Sequence, residues 1–362
     1  MYLWSLAAFR STDLLACLWG AGNYIPLIME SAEGVLPNLK GAAIGNGCNG
    51  NGVGLCSGAS AYEQRIDAEI FSGHGMISLG LYRTIGASCP TIADGYAAQP
   101  SADCLELYTA MNAQTGSFDV YNVYDQCPDT GVSASAGAVR DGRTRALEGL
   151  LSEGWSSDSM ADSLHPTPPL NAALGGALND WACGGMEAMN VWLGRADVQQ
   201  ALHVSGHGEH DRLRTTLLAL GPGCVFTTMA LCVSGNNSQN YRSLPSTNDL
   251  RPLYKRLAKK YRMLIYSGEV DSCVPYYASE DWTSSMGFAV RQPWTAWHAP
   301  SLDAPNKSTI RAGYCTEYHT GNASNPRFTF LTVAGSGHMV PKDKAPQALS
   351  MIRTFLANGT FT

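Results

Sequence analysis

A chain of 362 residues with 45% hydrophobic and only 15% charged residues can bury one large α/β core with insertions, or two domains. Its net charge of −6, with no run of basic residues, argues against nucleic acid or an anionic membrane surface as partner, and no apolar run reaches membrane-spanning length. The 11 cysteines form no CxxC pair and no Cys/His cluster with zinc-ligand spacing, so neither a metal nor any other cofactor is expected.

The cysteine count still carries information. Sequons begin at Asn236, Asn306, Asn322 and Asn358, and candidate glycosylation sites in a cysteine-rich chain favour the secretory pathway: vacuole, lysosome or extracellular space. Reduced, buried cysteines in a cytosolic protein are the alternative. Met1–Phe9 is apolar but lacks a basic flank, and Arg10 and Asp13 interrupt it, so it makes no convincing signal peptide.

Residues 1–20 show neither helical period nor strand alternation, and periodicity assigns them no element. Asn23–Glu30 predicts the first turns of a buried helix, with a proline near its start. Asn38–Ile44 predicts a short strand that runs into Gly45-Asn-Gly-Cys-Asn-Gly50. That run matches the G-x-G-x-x-G nucleotide pattern, which requires a helix to open at the glycines. Glycines continue here through Gly58, and helix is expected only from about Ala59, so a loop with Cys48 and Cys56 as a candidate disulfide is the better reading.

Helices are predicted over Ala59–Ser72, Met76–Ile85 and Ala102–Asn112. Val132–Ser163, rich in Ser, Gly and Ala, and His165-Pro-Thr-Pro-Pro169 predict an insertion or lid. Gly194–His203 predicts helix, with Val198 and Leu202 on one face. A regular βα pattern follows: helix Leu250–Lys259, strand Arg262–Ser267, loop Gly268–Pro275 and helix Tyr276–Ser285. Trp294–His298 and Thr309–Glu317 predict antiparallel strands, and Arg327–Val333 another strand. The glycine-lined loop Ala334–Pro341 comes next, then a helix whose Ala345, Leu349, Ile352 and Leu356 recur at helical spacing. Successive strand-loop-helix units imply a mainly parallel sheet flanked by helices, with functional groups at the C-terminal ends of its strands.

Two of those ends present complementary groups. Asp271 stands four residues past Ser267 on a turn opened by Gly268, and His338 five residues past Val333. On neighbouring parallel strands the carboxylate would hold the imidazole in one tautomer and stabilise its cation, as in a Ser-His-Asp triad. Aspartate well before histidine is the chain order of the α/β-hydrolases. Met339 and Cys273 adjoin these loops, as candidates to line a substrate site or as packing beneath it.

The chain resembles the serine carboxypeptidases, which remove C-terminal residues from peptides. The resemblance is carried in order by Ala21-Gly-Asn-Tyr-Ile-Pro26, Leu39–Gly47, Ala196–His203, Leu264–Pro275 and Val333–Pro341. It implies an α/β-hydrolase fold, peptides with a free C-terminus as substrates, and Asp271 and His338 as the triad's acid and base. It also implies a core of residues 21–54 and 186–362 and an insertion over 55–185 that covers the substrate site. In the family, Gly-Glu-Ser-Tyr bearing the nucleophile precedes Ala-Gly-x-Tyr-Ile-Pro; here Trp19-Gly20 runs into Ala21-Gly22 and no serine fits. The first sheet strands and the Asn-Gly-Gly-Pro-Gly segment are also expected to be missing, with residues 1–20 non-native or mis-spliced. The expectation is therefore a serine carboxypeptidase by family, inactive as written. A noncatalytic scaffold or binding relative and an acyltransferase on the same fold are the alternatives; oligomeric state is left open.

Overall fold

The computed structural model describes residues 13–17, 21–57, 60–91, 100–116, 118–125, 196–201, 247–300, 308–321 and 327–361. Six strands, β1 (Asp13–Cys17), β2 (Leu39–Gly45), β3 (Arg262–Gly268), β4 (Ala289–Pro300), β5 (Thr309–His319) and β6 (Arg327–Val333), form one sheet in the order β1-β2-β3-β6-β5-β4. The first four strands of that order run parallel, and β5 and β4 complete the sheet antiparallel. Between the strands lie helices α1 (Ala21–Ser31), α2 (Ser60–Gly73), α3 (Leu79–Ser88), α4 (Ala102–Thr115), α5 (Ala196–Ala201), α6 (Arg251–Leu257) and α7 (Tyr276–Ser284). Two more, α8 (Val340–Asp343) and α9 (Ala345–Leu356), follow β6.

The sheet is mainly parallel because its middle strands are covered on both faces. Alternate residues of β3 point to opposite clusters: Met263 and Ile265 meet Ile25 and Met29 of α1, Tyr254 and Leu257 of α6 and Trp282 of α7. Leu264 and Tyr266 meet Trp297 of β4 and Met351 and Phe355 of α9. This explains why β3 reads as a continuous apolar run rather than an alternating one, with every residue from Met263 to Gly268 buried.

Two compact units divide the chain, Met1–Tyr108 with Ser243–Thr362, and Thr109–Arg242. In the second, the described residues are the end of α4, a turn in which Asp119 Oδ1 accepts from the Tyr121 amide, and α5, where Val198 is buried. Val132–Ser163, His165–Pro169, Leu202 and the sequons at Asn236, Asn306 and Asn322 lie outside the described residues.

Two local expectations change. Residues 1–20, given no element by periodicity, supply β1, whose Leu14 to Cys17 pair with Gly41 to Ile44 of β2. The apolar face of α9 is rotated by one position. Ala348, Met351 and Phe355 are buried, Ile352 is half-buried, and Leu349 and Leu356 are 51% and 36% exposed. Two apolar stripes adjoin on this helix, and the one carrying Met351 and Phe355 joins the cluster of Leu264, Tyr266 and Trp297. At Gly45–Gly50 the structure has the expected disulfide-bearing loop and not a nucleotide-binding helix start. One 3-10 turn (Gly54–Ser57) follows the glycines, α2 opens only at Ser60, and Cys48 and Cys56 are disulfide-bonded with Cα atoms 6.0 Å apart. A second disulfide joins Cys89 to Cys104.

Candidate active site

Register places the two loops of interest side by side. Gly268, the last residue of β3, pairs with Val333, the last of β6, so both chains leave the sheet at the same height. Backbone hydrogen bonds then zip the loops together: Glu269 N–H to Val333 O at 3.2 Å and Val270 N–H to Ser336 O at 2.9 Å. Gly268 permits this approach, since a Cβ there would land on the carbonyl oxygens of Ser336 and Gly337. Gly335, at φ 64°, makes the turn that brings the second loop back. Asp343 at the end of α8 anchors that loop from the far side, accepting from the Gly337 amide at 2.8 Å.

Asp271 and His338 meet in this zipped pair. His338 Nδ1 lies 2.7 Å from Asp271 Oδ2, with the imidazole 5% and the aspartate 0% exposed. Oδ1 of Asp271 accepts from the amides of Cys273 (2.8 Å) and Val274 (3.1 Å), and Oδ2 also accepts from Asn46 Nδ2 at 2.6 Å. Four donors thus converge on one buried carboxylate and replace the water it loses. The carboxylate accepts a hydrogen bond from the Nδ1–H of the imidazole, which leaves the lone pair on Nε2.

The surroundings are fixed by contacts that tie α7, which follows the first loop, to α2. Tyr62 OH donates to Asp281 at 2.8 Å, and Ile66 packs on Ala278 of α7. Burial raises the Glu280 carboxyl above its usual range, with Asp281 adding to the effect. Burial also pushes the Tyr276 hydroxyl up, followed by its bond to Tyr277 and the charges of Glu280 and Glu269. Glu269 itself accepts from Thr332 Oγ1 at 2.7 Å.

Of the other residues singled out from sequence, Cys273 is 3% exposed, and its amide rather than its thiol serves Asp271. Met339 is half-exposed at the start of α8. Asn358 stands exposed just past α9. Asn46 and Asp343 were not singled out. Asn46 is 225 residues from Asp271, so no local spacing announces that contact, whereas Asp343 bonds to Gly337 six residues earlier.

The start of α1 reaches the same neighbourhood. Gly22 packs so closely on Cys48 that a Cβ would strike its carbonyl oxygen, and Tyr254 OH donates to Gly22 O at 2.7 Å. The first turn of α1 is therefore seated on the Asn46–Cys48 segment whose asparagine touches Asp271. Between Cys17, which ends β1, and Ala21, which begins α1, the sequence is Leu18-Trp19-Gly20, without a hydroxyl or thiol.

Residues 21–358 match the family model described as serine carboxypeptidase. The chain belongs to the serine carboxypeptidase family. Among its relatives is serine carboxypeptidase-like 20 of Arabidopsis thaliana, 25% identical over 368 residues that cover 93% of this chain and 61% of the relative. Serine carboxypeptidase 1 of Hordeum vulgare is 23% identical, with the same coverage of 93% and 61%. The chain thus spans about three-fifths of the length of the curated relatives it matches. A crystal structure of a prohormone-processing carboxypeptidase from Saccharomyces cerevisiae aligns with a TM-score of 0.48 at 13% identity, over 96% of this chain and 62% of the other.

Proposed function

We propose that this member of the family carries the acid–base half of a carboxypeptidase triad. The observation behind the proposal is the buried 2.7 Å contact between His338 Nδ1 and Asp271 Oδ2 at adjoining parallel strand ends. In the complete reaction a serine attacks the carbonyl of the last peptide bond while His338 takes its proton at Nε2. His338 then gives that proton to the departing C-terminal residue, water hydrolyses the acyl-enzyme, and Asp271 holds the imidazole and stabilises its cation throughout. The substrates are peptides with a free C-terminus. The disulfides Cys48–Cys56 and Cys89–Cys104 and the sequons support an oxidising compartment on the secretory route.

In this reading Leu18-Trp19-Gly20 stands where the family has Glu-Ser-Tyr, immediately ahead of Ala-Gly-x-Tyr-Ile-Pro, and Trp19 takes the place of the nucleophile. An indole cannot be acylated, so no acyl-enzyme forms there, and loss of one triad member typically removes about 10⁴- to 10⁶-fold of kcat. The same tryptophan favours a second reading, in which the chain binds peptides without cleaving them.

Restoring the trio tests the proposal. Leu18→Glu, Trp19→Ser and Gly20→Tyr together should render position 19 reactive toward a fluorophosphonate, and adding His338→Ala should abolish the labelling. A folded triple variant that stays unlabelled would remove the support for this placement of the nucleophile. Equal labelling with and without His338 would remove the base assignment.

A further inference from the structure

Among the described non-glycine residues, two asparagines hold left-handed backbone, Asn46 at φ 40° and Asn358 at φ 55°. Asn358 follows the C-terminus of α9, a common place for such a residue and one where glycine serves as well. Asn46 is different. Its amide N–H bonds to Tyr266 O at 2.8 Å, extending the β2–β3 ladder one residue past Gly45, and the left-handed bend follows at once. Glycine would relieve that backbone at no steric cost but would lose the side-chain amide.

The amide has a defined direction. Nδ2 donates to Asp271 Oδ2 at 2.6 Å, the oxygen that also meets His338 Nδ1 at 2.7 Å. The reversed amide would set two acceptors at that distance, so the donor end must face the carboxylate. Its other end, Oδ1, is buried without a hydrogen-bond partner. An orphaned buried acceptor is costly, and breaches of this kind concentrate where a site needs them.

We propose that Asn46 is a positioning residue of the Asp271–His338 pair; the proposal rests on reading that pair as an acid–base unit. The amides of Cys273 and Val274 hold Oδ1 of Asp271, and Asn46 is what holds Oδ2 besides the imidazole. With it, the carboxylate is fixed about its Cβ–Cγ bond with Oδ2 on the His338 proton. Without it the carboxylate can swing about that bond, and the imidazole loses the partner that orients it.

Proton NMR on the whole chain, following the Nδ1 proton of His338 assigned by its loss in His338→Gln, tests this. Asn46→Gly keeps the left-handed backbone and deletes the donor. Asn46→Asp keeps the shape and turns an acceptor toward Asp271. Both should move the low-field resonance toward that of an ordinary imidazole and speed its exchange with water about tenfold or more, while Asn358→Gly leaves it unchanged. An unmoved resonance with unchanged exchange in folded Asn46→Gly and Asn46→Asp overturns the role of Asn46. Absence of a protected resonance in the native chain overturns the pair itself and the proposal with it, so the two failures are told apart.

Discussion

The paired loops after β3 and β6 and the first turn of α1 both adjoin the Asn46–Cys48 segment, yet they differ in how much chemistry they hold. On the loop side a carboxylate, an imidazole, a side-chain amide and two backbone amides interlock, closed in by Gly268 and Asp343. On the α1 side Gly22 packs against Cys48 and accepts from Tyr254, and the sequence just before the helix is Leu18-Trp19-Gly20. In the proposed reading scaffold and chemistry are separable, with close glycine packing beside a segment that carries no hydroxyl.

If the loop side is a built site, disturbing it should be expensive. Asp271→Ala strands four donors in the interior, and about 3 to 5 kcal/mol of unfolding free energy should be lost in denaturant titration. A loss under about 1 kcal/mol would break the contrast. Gly268→Ala drives a methyl into the carbonyls of Ser336 and Gly337, and about 1 to 3 kcal/mol should go, with the two loops parted in a crystal structure. Asp343→Ala removes the acceptor of the Gly337 amide and should cost about 1 to 3 kcal/mol in the same titration.

A smaller effect separates matched from unmatched carboxyls. On α2, burial holds the Asp67 carboxyl well above the usual carboxylate range, with Glu63 one turn away adding to it, and burial raises Glu63 too. A carboxyl raised in the folded state contributes fully at pH values below the ordinary carboxylate range. That contribution is lost as pH rises through the raised, folded value. Asp67→Asn should therefore flatten the decline of thermal midpoint between acid and neutral pH and raise the midpoint at neutral pH by a few degrees. An unchanged slope would show that Asp67 ionises without strain.

Much of this architecture can be read from sequence, and the parts that cannot have physical causes. β3, β6 and the loops carrying Asp271 and His338 are legible because central parallel strands are continuous apolar runs that end in glycine-bearing loops. β1 is five residues, Asp-Leu-Leu-Ala-Cys, too short for a period to show. β4 extends from Ala289 to Pro300, well beyond Trp294–His298, because register shifts near Val290, Gln292 and Trp297 break its alternation. On α9 two adjoining apolar stripes both fit the helical period, so periodicity alone does not choose the buried face. Asn46 was visible only as part of a glycine-rich run, since its partner comes from a loop far along the chain.

The central claim is an acid–base pair without a nucleophile, and reaction of the native chain with a fluorophosphonate probe, read by intact mass and peptide mapping, tests it most directly. The account predicts no adduct on any serine while the protein stays folded. A stoichiometric adduct on one serine, lost in His338→Ala, would contradict it and show that the pair still has a hydroxyl to activate.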